Sequence, residues 1–151
     1  MLITMDRAIE LANISTGGPF GAVIMNNDGI VVGEGHNEVT VNNDPTAHAE
    51  MVAIRRACAN IKNFNLEGCT IYTSCEPCPM CLAACYWARI DKIYYSNTRV
   101  DAANIGFSDD DIYKELGKSN DSRCLPIIKV DNTEAIKTFQ RWFRDENKVK
   151  Y

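Results

Sequence analysis

Four cysteines fall within eleven residues, in the stretch "TSCEPCPMCLAAC" from Thr73 to Cys85. Cys75, Cys78, Cys81 and Cys85 are spaced C-x2-C-x2-C-x3-C. Bacterial ferredoxins hold an iron–sulfur cluster with this run, which here lacks only the trailing proline because Tyr86 follows Cys85. A fold that accommodates it must either gather thiolates around a metal or bury thiols as small apolar side chains. Cys58, Cys69 and Cys124 are scattered. An odd total of seven cysteines suits a reducing compartment with a metal site better than a disulfide framework, and the expected location is the cytoplasm.

The rest of the chain limits what surrounds that run. A length of 151 residues fits one domain with a full core, so 1–151 is expected to be a single domain. The net charge of −4 lacks the basic excess of a dedicated nucleic-acid binder. No apolar run approaches the ~20 residues of a membrane helix, and "MLITMDRAIELA" has no basic n-region followed by an apolar one. Helical spacing of apolar residues predicts a helix from Met1 to about Asn13, with Leu2, Met5, Ile9 and Ala12 on one face. Strands follow at Phe20–Met25 and Ile30–Gly35 around an "NNDG" hairpin turn. A helix is expected at about Thr46–Asn60 with Thr46 as its N-cap, then a strand at Thr70–Ser74, a helix at Cys78–Arg89 and a strand at Lys92–Ser96. Asp101–Asp121 reads as irregular with one helical turn near Ile112. A fifth strand at Leu125–Val130 precedes a helix from Thr133 to about Asp145 that buries Ile136, Phe139 and Phe143. A hairpin followed by strand–helix alternation indicates a layered α/β fold with a mixed sheet.

The chain has two histidines, His36 and His48. His48 opens "HAE", and "PCPMC" begins about thirty residues later; H-x-E…P-C-x-x-C is the arrangement of zinc deaminases, in which the glutamate acts in catalysis and does not ligate. Cys78 and Cys81, at i and i+3 in a first helical turn, point their sulfurs one way. His48 adds a third ligand and leaves one tetrahedral position for water. His48 and Glu50, two residues apart, address one metal only if it lies off the end of their helix, where the helix dipole favours thiolates and a bound hydroxide. Two other readings use the same residues. A closed zinc site with Cys75 as fourth ligand would be purely structural and would give Glu50 no role. The iron–sulfur reading would need the whole cysteine run, yet its last two members fall inside an amphipathic helix. Cys75 and Cys85 are therefore read as buried apolar side chains.

Beyond these motifs the chain resembles the bacterial guanine deaminases of the cytidine deaminase-like superfamily. "GGPFGAVI", "NDPTAHAE", "YTSCEPCPMCLAACYWAR", "DAANIGFSDDDIYKE" and the C-terminal "KVKY" carry the likeness over nearly the whole chain. "DPTAHAE" and "PCxxC" are shared with tRNA adenosine deaminases, whereas "YWAR" and "GFSDD" are specific. The resemblance implies a three-layer α/β/α fold with a five-stranded mixed sheet. It also implies one Zn2+ per chain on His48, Cys78 and Cys81, and hydrolysis of guanine to xanthine and ammonia. Glu50 would move a proton from the zinc-polarised water to the purine, and Asp109 would share in proton transfer to the leaving amine. Asn37 and the Ala49 N–H would contact the base, walled by Phe20, Trp87 and Phe107. The segment from about 131 to 151 would exchange between the chains of a homodimer, laying Tyr151 over the partner's site. A tRNA adenosine deaminase and a cytosine deaminase of the same superfamily are the alternatives, together with a non-catalytic zinc module.

Overall fold

The computed structural model describes residues 2–151, and side chains from residue 4 onward, so Met1 and the Leu2 side chain lie outside the described residues. Two compact units arise, Met1–Tyr113 and Lys114–Tyr151. The first unit contains α1 (Leu2–Ile14), β1 (Gly21–Met25), β2 (Val31–His36), α2 (Val39–Asn42), α3 (Ala49–Ile61), β3 (Thr70–Cys75), α4 (Pro79–Trp87), β4 (Lys92–Asn97), α5 (Arg99–Asn104) and the start of α6 (Asp109–Leu116).

The strands form one mixed sheet in the order β2-β1-β3-β4, antiparallel except for the parallel β3–β4 pair. Among the described residues it has four strands, not the expected five. Residues 125–130 form no ladder, and a strand needs a partner backbone that local propensity cannot supply.

Strand alternation sorts the two faces. Val23 packs with Ala8 and Leu11 of α1. Ala22 and Ile24 turn the other way, into a core with Ala49, Ala53 and Ala57 of α3, Ile71 of β3 and Cys85 of α4. Helices thus cover both faces, giving the expected three layers. Ile24, Leu66 and Ile71 are fully buried, each contributing roughly 1.5–3 kcal/mol. On β2, Gly33 and Gly35 lie beneath α3; a Cβ on Gly33 would stand 2.5 Å from the Ala53 carbonyl oxygen, and one on Gly35 would stand 2.8 Å from the Ala53 nitrogen. Missing side chains therefore let α3 rest directly on the strand backbone. From the same helix, Asn60 Nδ2 donates to the Val32 carbonyl at 2.8 Å and Arg56 Nη1 to the Glu34 carbonyl at 3.1 Å. On the opposite face Arg7 of α1 holds the Glu34 carboxylate with two bonds, of 3.0 and 2.9 Å.

Two local expectations are corrected. Thr46 does not cap α3; His48 occupies the N-cap, and the Thr46 hydroxyl donates to Asp44 Oδ1 at 2.6 Å. The stretch expected to be irregular holds two helices. Thr98 opens α5 through a reciprocal capping box with Asp101, and Asp109, Asp110 and Asp111 place negative charge at the positive end of α6.

The second unit holds the end of α6, a short 3-10 turn (Asn120–Ser122) and α7 (Thr133–Arg144). Arg123 donates to the Glu115 and Leu116 carbonyls at the end of α6, and Asn132 caps α7 by accepting from the Glu134 N–H at 2.8 Å. The apolar face of α7 expected to be buried is open in this chain, with Phe139 75% and Phe143 81% exposed. A short unit of this kind has no interior in which to hide it.

Candidate metal centre and active site

The chain folds so that two helix beginnings converge. His48 (φ −66°, ψ 157°) and Cys78 (φ −64°, ψ 166°) are both extended N-cap residues. Their carbonyls accept the first helical bonds from Val52 and Leu82, each at 2.9 Å. Pro79 fixes the first position of α4. Cys81, one turn on, turns its sulfur to the same side as Cys78.

His48 Nδ1 stands 3.5 Å from Cys78 Sγ and 3.6 Å from Cys81 Sγ. All three potential ligand atoms lie within 4.8 Å of one another, and among the described residues this is the one such His/Cys/Asp/Glu group. Zinc at ordinary bond lengths separates a tetrahedral nitrogen–sulfur pair by about 3.6 Å, so the donor set and its spacing fit that ion. The Cys81 thiol, donating to Cys78, holds Cys78 well below the usual thiol range, while the same bond and burial push Cys81 up. One thiolate is therefore favoured before any cation arrives.

The other two cysteines of the run part company with this group. Cys75 ends β3 and directs its sulfur at the Thr98 carbonyl, 3.6 Å away. Cys85 sits in the core beside α3. Burial pushes the Cys75 thiol up to about 11 and the Cys85 thiol up to about 12. His36 lies on the α1 face of the sheet, with Nδ1 3.2 Å from the Asn37 carbonyl oxygen.

A cavity opens onto the group and is lined by Phe20, Asn37, His48, Glu50, Cys75, Glu76, Cys78, Phe107 and Asp109. Glu50 is 6% exposed and accepts from Thr73 Oγ1 at 3.3 Å. Burial pushes its carboxyl above the usual range, and burial followed by the charge of Cys78 does the same to Asp109. Asn37 is buried, and its Oδ1 accepts from the Val39 N–H at 3.1 Å, which leaves Nδ2 as its donor. Phe20 and Phe107 meet edge to face with centroids 4.8 Å apart. Ala49 is the first residue of α3, where a backbone N–H has no intrahelical partner.

The cavity thus gathers Glu50, Asp109, Asn37, Phe20 and Phe107 around the candidate ligands, with Ala49 adjoining. Trp87 is not brought there. It ends α4, about 12 Å along the axis from Pro79, and is 68% exposed. Tyr151, 70% exposed, belongs to the second unit. Glu76 was missed by sequence reasoning; its place between Cys75 and Pro77, inside the metal run, was the available signal.

The sequence pattern of the cytidine and deoxycytidylate deaminase zinc-binding region matches residues 3–97. A guanine deaminase of Bacillus subtilis is 49% identical over 97% of this chain and 96% of its own. A tRNA-specific adenosine deaminase of Haemophilus influenzae is 31% identical over 95% of this chain and 81% of its own. The X-ray structure of guanine deaminase from Bacillus subtilis superposes with a TM-score of 0.94, covering 99% of this chain and 98% of that one.

Proposed function

This chain belongs to the cytidine and deoxycytidylate deaminase zinc-binding family, and we propose that within it the protein is a guanine deaminase, converting guanine and water to xanthine and ammonia. The near-full-length identity to a guanine deaminase supports the substrate. The buried Glu50 carboxylate beside the His48, Cys78 and Cys81 group carries the reaction class, since a closed structural site has no use for it.

His48, Cys78 and Cys81 would hold the zinc, which when bound polarises water enough for it to ionise near neutral pH. Glu50 accepts the water proton and passes it to the purine ring as the carbon–oxygen bond forms at the amino-bearing carbon. Its raised proton affinity suits a group that must hold that proton between two steps. Asp109 assists proton delivery to the departing amine. Asn37 offers Nδ2 to an acceptor on the purine edge, and Ala49 N–H another donor. Phe20 and Phe107 flank the flat ring and exclude water.

A homodimer with exchanged C-terminal segments completes the reading. The second unit spans only 114–151, below the size at which a core stands unaided, and its α7 leaves Ile136, Phe139 and Phe143 open. A partner chain would cover that face and lay Tyr151 against the other pocket. Among the described residues no helix is long and apolar enough to cross a membrane. Seven free thiols fit a reducing, cytoplasmic setting.

The test is product formation from guanine, adenine, cytosine, cytidine and a tRNA anticodon stem. Xanthine and ammonia from guanine are expected. Inosine formed in tRNA, with no xanthine, would move the chain to the adenosine deaminases.

A further inference from the structure

Asp109 and Phe107 form one wall of the cavity, yet the helix that carries Asp109 buries none of its own residues in the chain. Something other than core packing must hold α6 in place. Tyr113 lies four residues after Asp109, one turn along the same face. Its hydroxyl donates to the Pro77 carbonyl at 2.7 Å, and Pro77 immediately precedes the candidate ligand Cys78. The Arg99 guanidinium lies 4.3 Å from the centroid of the Tyr113 ring. That arginine is in turn tied to the metal loop: its backbone N–H donates to Glu76 Oε2 at 2.9 Å, and its Nε stands 3.4 Å from Glu76 Oε1. Glu76 therefore spends both carboxylate oxygens on Arg99, although it lines the cavity. These contacts link the loop 76–78, the first residue of α5 and the face of α6 that bears Asp109.

We propose that Tyr113 is a positioning residue: through the Pro77 carbonyl and the stacked Arg99–Glu76 pair, it sets the height of Asp109 above the metal loop. The proposal rests on the role given to Asp109 above. Its physical content is leverage. The anchor and the carboxylate are one helical turn apart, so slack at the Tyr113 hydroxyl is passed to the Asp109 carboxylate nearly undiminished. The Tyr113 ring itself needs no contact with the substrate.

A double-mutant cycle on the zinc-loaded enzyme tests this with Tyr113→Phe, which keeps the ring under Arg99 and removes the bond to Pro77. Alone it should lower kcat by about tenfold, with KM for guanine and zinc content changed less than about twofold. In an Asp109→Asn background the same change should have no further effect on kcat, because Tyr113 then has nothing left to position. Equal losses in both backgrounds, an unchanged kcat, or loss of zinc in Tyr113→Phe would each overturn the proposal while leaving Asp109 in the mechanism. Full turnover by Asp109→Asn alone would instead remove Asp109 from the reaction, and the proposal with it.

Discussion

Gly35→Ala should impair turnover more than Gly33→Ala, although both crowd the same helix. An added Cβ on Gly35 would stand 2.8 Å from the Ala53 nitrogen and closer still to the Ala49 carbonyl, where ordinary contact begins at 3.4 Å. The start of α3 must back away by about 1 Å to restore that spacing at the Ala49 carbonyl. On Gly33 the added atom meets Ala53 O at 2.5 Å and Ala57 N at 2.7 Å, so the push is as large but falls further along the helix. Overpacking of this kind costs roughly 1–3 kcal/mol, or about 2–12 °C in Tm for a chain of this size. The stability losses should therefore be alike. Activity should not be, because Gly35 pushes on the turn that holds His48, Ala49 and Glu50. Sub-ångström to 1 Å misplacement of reacting groups costs up to about 10²-fold, so kcat of Gly35→Ala should fall by about 10–10²-fold and that of Gly33→Ala by a few-fold. Guanine turnover would be measured below both transitions, with Tm read by calorimetry. Equal losses of kcat at equal losses of Tm would refute the idea that the start of α3 is the sensitive point.

Metal analysis should find one zinc per chain in a colourless protein; Cys78→Ala and Cys81→Ala should lose it, and Cys75→Ala and Cys85→Ala should keep it. Glu50→Gln should keep zinc and fold while turnover drops by about 10²–10⁴-fold, as single-turnover assays with guanine would show. Hydrogen bonding to Arg7 holds the Glu34 carboxyl below its ordinary 4.5, so that pair contributes stability above pH 4.5 that is lost as pH falls through the depressed value. Glu34→Gln should accordingly lower Tm near neutrality and flatten its acid-side decline. Deletion of Lys148–Tyr151 should sharply reduce guanine turnover without loss of zinc or of the dimer in sedimentation; full activity in the truncated chain would leave Tyr151 without a role.

The sequence showed the metal group more readily than the frame around it. His48, Glu50, Cys78 and Cys81 stand in the H-x-E…P-C-x-x-C arrangement of zinc deaminases, and Cys75 and Cys85 were read apart from them as buried apolar side chains. The hairpin was legible because its turn residues announce it. The stretch 125–130 was misread because a short run of apolar, β-branched residues describes a strand that still needs a neighbour. Helix α5 was overlooked although "TRVD" carries its capping box, with aspartate in the place usually taken by a longer acid or amide. Trp87 was placed in the pocket through family likeness, and the length of α4 carries it elsewhere.

The bonds from Asn60 and Arg56 to the outer carbonyls of β2 set a limit on how copies of this protein can add to one another. A sheet with two receptive rims can recruit neighbours without end, and a filament results. Here two carbonyls of the β2 rim already accept from side chains of its own covering helix, whereas β4 is the other outermost strand. Backbone pairing at that rim must first displace these bonds, which biases growth toward the β4 side, where two copies paired edge to edge close instead of propagating.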